Sequence, residues 1–114
     1  MSSNVVPETA QLLQVLGYVY ASHGQTKRAI VLQMIATWLA PDDPAVLRTL
    51  AYTFMLEGAP EKALPIIERL SFLDGEDHPA LCLLKSRALK AAGHGPEARE
   101  AFYKFIELRK RRQS

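Results

Sequence analysis

Leu13-Gln14-Val15-Leu16-Gly17-Tyr18-Val19-Tyr20, closed by Gly24 and followed by Ala29, is the stretch on which the fold turns. Leu13, Leu16 and Tyr20 fall at i, i+3 and i+7, the spacing of one helix face, and Leu12 widens that stripe. Gly24 suits the left-handed position that ends a helix. The arrangement returns twice. Gly24, Gly58 and Gly93 are separated by 34 and 35 residues, and Ala29, Ala63 and Ala98 by the same intervals. Pro44 and Pro79 lie 35 apart. Leu47, Leu50, Ala51 and Phe54 form the second stripe. Each period reads as helix, turn, helix, turn. The expected helices cover about 8–23, 26–40, 44–57, 60–73, 79–92 and 95–111. Asp43 before Pro44 is an N-cap followed by a proline at the first helical position. Pro65 falls inside the fourth helix and should kink it or delay its start. No alternating run or Asn-Gly hairpin turn signals a strand.

The chain has 114 residues, 48% apolar and 23% charged, with a formal net charge of +2. That composition excludes disorder and predicts one domain over residues 1–114, with repeats at about 8–41, 44–75 and 79–111. The uncharged helical stretch 29–41 is well short of the roughly 20 residues a bilayer requires. The N-terminal residues carry neither a basic region nor an apolar run, so no secretory signal is expected. A single cysteine forbids an internal disulfide and fits a reducing, cytoplasmic compartment.

The period and its residues resemble the tetratricopeptide repeat. The first unit matches with Leu13-x2-Leu16-Gly17-x2-Tyr20, then Ala29, Ala36 and Pro41, departing with Leu13 for tryptophan and Gln33 for the second-helix aromatic. The second has Leu47-x2-Leu50-Ala51-x2-Phe54, then Ala63 and Ile67. The third has Cys82, Ser86 and Leu89, then Ala98 and Phe102, with Lys85 replacing an apolar residue. Gly17, Ala51 and Ser86 are small enough to let paired helices approach. The resemblance implies an all-α fold of three tetratricopeptide-like helical hairpins, stacked as a short right-handed solenoid with a concave groove.

No constellation of catalytic groups stands out. His23, His78 and His94 lie in or beside separate turns without a second ligand at metal spacing. Cys82 sits at a core-facing position with no histidine at a useful offset. Gly93-His94-Gly95 lacks the strand and spacing of a phosphate loop. Asp74, Glu76 and Asp77 read as a solvated acidic turn rather than a calcium loop. The expectation is a non-enzyme without cofactor or metal. The basic end, Arg109-Lys110-Arg111-Arg112, complements a helix C-terminus. It favours solubility or an acidic protein partner over nucleic acid, because the rest of the chain has no basic face.

Surface chemistry points to a protein partner. Between Thr9 and Pro41 the only charges are Lys27 and Arg28. The segment 29–39 is apolar almost all round, as in a helix buried on every side. Both ends of the expected stack expose apolar groups, including Phe102, Phe105 and Ile106 at the far end, unless Val5 and Val6 fold over one of them. An obligate partner would leave the isolated chain poorly soluble or oligomeric. If the first helix of each unit faces inward, the groove is lined by Gln11, Gln14, Tyr18 and Ala21, then Ala45, Arg48, Tyr52 and Met55, then Leu83, Arg87 and Lys90. This mixture suits an apolar or amphipathic protein segment, and it lacks the Lys/Asn clamp by which chaperone-tail-binding repeats hold a carboxylate. The alternative site is the apolar face of Ile30, Met34 and Trp38.

Over its whole length the chain is similar to the Y-type chaperones of type III secretion systems, the YscY/SctY family. The likeness runs through Leu12-Leu13-x2-Leu16-Gly17-Tyr18, Gly24-x3-Arg28-Ala29-x2-Leu32, Ser86-Arg87-Ala88 and Ala98-Arg99-x3-Tyr103-x3-Leu108. It implies a non-secreted bacterial cytoplasmic chaperone that binds the small secreted X-type export component as a heterodimer. The pair would engage the cytosolic domain of the export gate, with no nucleic acid and no direct membrane insertion. Two alternatives stay open. One is a chaperone for a needle or translocator subunit, although seven residues before Glu8 leave no room for a translocator chaperone's dimerisation segment. The other is a general repeat scaffold, or a nucleic-acid adaptor using the basic tail.

Overall fold

A computed structural model describes residues 5–75 and 77–113, with all their side chains except those of Val5 and Pro7. Six helices account for nearly all of them: α1 (Val5–Ser22), α2 (Thr26–Leu39), α3 (Pro44–Leu56), α4 (Pro60–Asp74), α5 (Pro79–Ala91) and α6 (Gly95–Gln113). In chain order they make three helix–turn–helix units, and the described residues contain no strand. The fold class is all-α, as the repeat period predicts. Among the described residues no helix is long and apolar enough to cross a membrane.

The turns explain the periodicity. Gly24, Gly58 and Gly93 have φ of 78°, 77° and 87°, a region that strains any residue with a Cβ. Each is flanked by the same pair of bonds. The N–H of Gly24 donates to the Ala21 carbonyl at 3.0 Å, and that of Gln25 to Tyr20 at 2.9 Å. Gly58 and Ala59 repeat this onto Met55 and Phe54, and Gly93 and His94 onto Lys90 and Leu89. These are Schellman closures, which satisfy the orphan carbonyls of the helix just ended. Asp43 caps α3 as expected, its carboxylate accepting from the Ala45 N–H at 3.0 Å ahead of Pro44.

Pro65 departs from expectation. The helix begins at Pro60 and runs through it to Asp74, so there is no delayed start. Its ring faces solvent, and the lost bond to the Glu61 carbonyl is accommodated within the second turn of α4.

The chain divides into two compact units, Met1–Ala59 and Pro60–Ser114. In the first, α1 packs on α2 and both contact α3. Its core cluster joins Ala10, Ala36 and Val46, with Leu13, Leu39 and Ala40 against it. In the second, α5 packs on α6 and α4 on α5. Ile67, Leu70, Leu81, Cys82, Ala98 and Leu108 are buried there. Ser86 occupies the small-residue position of α5 and donates its hydroxyl to the Ala98 carbonyl at 2.9 Å, tying α5 to α6.

Two expectations about the helix faces are corrected. The apolar stripe of α1 was expected at Leu12, Leu13, Leu16 and Tyr20, but Leu12 and Leu16 are exposed. The interior face is instead Ala10, Leu13, Gly17 and Ala21, because the approach of α2 selects small residues. Nor is α2 buried on every side: Val31, Met34, Ile35 and Trp38 stand in solvent. Lys85 does not disrupt α5. Its ammonium lies 3.7 Å from the Glu68 carboxylate while its stem is half-buried. The Glu76 part of the acidic turn, and the proposed cover by the Val5 side chain, lie outside the described residues; Val6 is exposed.

Candidate functional site

Tyr18 on α1 and Tyr52 on α3 hold the same position of successive repeats, 34 residues apart, and both are exposed. Neither fills core volume, so the rings are free for contact with another molecule. Gln14, one turn before Tyr18, donates its side-chain N–H to the Thr49 hydroxyl at 2.9 Å. That bond spans α1 and α3 and fixes the half-buried glutamine. Arg48 is exposed on α3, its Nε 3.4 Å from the Pro44 carbonyl, and Met55 is half-buried one turn after Tyr52. Ala21 does not belong with them. It is only 7% exposed, one turn after Gly17 on the face of α1 that meets Gln33 of α2.

In the second unit, Arg87 and Lys90 are exposed on α5 and Leu83 is half-buried. These residues lie on the helix corresponding to α1 and α3 in the repeat.

The outer face of α2 is a further apolar surface. Met34 is exposed, Trp38 is 82% exposed and Ile30 is half-buried. Val31 and Ile35 extend this stripe, at i+4 spacing from one another and beside Met34. Sequence reasoning left them out, although the 31-34-35-38 spacing marks one face. Elsewhere in the repeat the corresponding positions are largely polar: Pro65, Glu68, Arg69 and Phe72 on α4, and Glu100, Tyr103, Lys104 and Glu107 on α6. Phe72 and Tyr103 are themselves exposed and were also missed. Phe72 has no apolar neighbour at i±3 or i±4, and Tyr103 has only Ile106, so neither belongs to an apolar stripe like that of α2.

The remaining chemistry is sparse. A cleft of about 770 Å³ in the second unit is walled by Glu68, Lys85, Glu97, Glu100, Lys104 and Glu107, with Cys82 and Leu81 on its floor. Cys82 is buried and outside any disulfide, and no histidine lines the cleft. Lys104 approaches Asp77 at 3.7 Å. His78 is the N-cap residue of α5, with no capping bond from its side chain, and His94 lies 3.9 Å from Glu97. Among the described residues no group of three His, Cys, Asp or Glu side chains is placed to hold a metal ion.

The helix order, the Schellman turns and the exposed faces define the class: a tetratricopeptide-like helical domain. Solved structures agree. The first TPR domain of human RPAP3 superposes with a TM-score of 0.80 at 19% identity, covering 90% of this chain and 80% of that one. A mutant of MamA gives 0.78 at 23% identity, covering 89% of this chain and 58% of that one. A second MamA structure, from MSR-1, gives 0.52 at 17% identity over 90% and 78%. At these identities the likeness shows the fold. No family model matches the chain, and no curated protein matches it.

Proposed function

We propose that this chain is a protein-interaction module, and specifically a bacterial cytoplasmic chaperone of a type III secretion system. It holds a small secreted export component of the X type and brings it to the cytosolic domain of the export gate. The observation that carries the interaction reading is the concentration of exposed large apolar side chains on a repeat scaffold: Tyr18, Tyr52, Val31, Met34, Ile35 and Trp38. A monomeric soluble domain rarely leaves such a set uncovered. The finer identity draws on the sequence likeness to the Y-type chaperones.

In this reading the first unit offers the partner Tyr18, Tyr52 and Met55, and α5 offers Leu83, at the repeat position of Gln14 and Arg48. Tyrosine offers wide contact area with few rotors, and methionine adapts to irregular surfaces. Arg48, Arg87 and Lys90 orient the partner and raise its association rate. The test is co-expression with the X-type component and, separately, with a needle subunit. Copurification of a stable one-to-one complex with the X-type component is the expected result. Copurification with the needle subunit alone would replace the assignment, and capture of neither would remove the secretion reading.

A further inference from the structure

Leu12 is 59% exposed, whereas Val46, its equivalent one repeat later, is 1% exposed. The contrast recurs along the helix. Leu16 and Val19 are exposed on α1, and their equivalents Leu50 and Thr53 are buried on α3. Two of the α3 positions show what covers them. Val46 sits in a seat formed by Ala10 and Ala36, with Leu13, Leu39 and Ala40 around it. Thr49, the equivalent of Val15, accepts the hydrogen bond from Gln14. Thus α3 docks on the α1–α2 hairpin with the same face that α1 leaves open. Among the described residues no helix precedes α1.

We propose that the Leu12–Val15–Leu16–Val19 face of α1 docks an amphipathic α-helical hairpin of a protein partner. That hairpin takes against α1 the place that α1–α2 takes against α3. The seat specifies the partner. Ala36 and Ala40 stand at i, i+4, which keeps the receiving surface low enough for a branched side chain to reach the backbone. The partner therefore carries small residues at that spacing. Its contact face is uncharged, because α1 has no charged residue after Glu8 and a buried cation would have no counter-ion. A second copy joined head to tail does not supply such a seat. The positions of the last repeat equivalent to Ala36 and Ala40 are Phe105 and Arg109, one bulky and one charged.

The biological use of this face rests on the interaction-module reading, but its test needs no partner. The probe is a lengthened chain in which residues 5–43 are followed directly by residues 10–114. A duplicate of the first hairpin then joins the internal α1 through the native Pro41-Asp42-Asp43 turn. The added hairpin should fold onto α1, raising Tm by about 5 °C or more and slowing amide exchange in the internal α1. Leu12→Glu in that internal helix should abolish the rise, while the same substitution in the natural chain leaves Tm nearly unchanged. A lengthened chain that does not fold, or whose added hairpin exchanges like an unfolded segment, overturns the proposal. So does a natural chain that sediments as a dimer and becomes monomeric with Leu12→Glu, since a second copy would then own the face. Failure here leaves the X-type assignment standing, and failure of X-type copurification leaves this result standing.

Discussion

Gly17 faces Gln33 so closely that a Cβ added to the glycine would lie 2.6 Å from the glutamine Cγ and 2.9 Å from its Nε2. Gln33 is fully buried, and neither its amide nitrogen nor its amide oxygen has a hydrogen-bond partner in the described structure. Gly17→Ala should therefore destabilise the first unit by about 1–3 kcal/mol, although alanine is the better helix former. Gln33→Met keeps the volume and removes the unmatched amide, and should stabilise by about 1–3 kcal/mol. Urea denaturation of both variants decides the matter. A neutral Gly17→Ala would mean that Gln33 swings aside at no cost.

The turn glycines make a different prediction. A Cβ at Gly24, Gly58 or Gly93 would meet nothing within 4 Å, so only backbone conformation opposes substitution. Alanine at each should cost about 1 kcal/mol, and the losses at these distant sites should add within about 0.5 kcal/mol. A combined loss far above that sum would show that the turns do more than close helices.

Trp38 is the sole tryptophan and stands in solvent. Its fluorescence should lie at the red end of the indole range and move little on unfolding. Trp38→Ser should change stability by less than about 0.5 kcal/mol. A blue-shifted native emission in dilute solution would mean that another molecule covers α2.

Partner affinity should report the tyrosines. Under the proposed function, Tyr52→Ala should weaken partner binding by about 2 kcal/mol, with little change in helix content. Tyr18→Ala and Leu83→Ala belong to the same set, and Glu100→Ala on α6 is the control. Arg87→Ala and Lys90→Ala should act chiefly on association rate, with an effect that shrinks as salt rises. Unchanged affinity in all three apolar variants would move the site to Ile30, Met34 and Trp38.

Tyr18, Tyr52, Met34 and Trp38, the candidate contacts read from the sequence, are all exposed in the structure. Val31, Ile35, Phe72 and Tyr103 escaped notice, since an apolar residue in a helix reads first as core. Ala21 was misplaced for the converse reason: the angular step from Tyr18 suggested one face, while the close approach of α2 draws a small residue inward.

The sequence by itself determined the six helices and their turns. Expected spans such as 44–57 and 79–92 match Pro44–Leu56 and Pro79–Ala91 to within a residue, because glycine, proline and N-cap signals act on adjacent backbone. Only the tertiary structure decided which apolar face of α1 is interior. Leu12 and Leu16 have the same helical periodicity as Leu13 and Ala21, and burial depends on which neighbouring helix arrives. In α1 that neighbour is α2, which approaches across Gly17; against Leu12 the described chain places none.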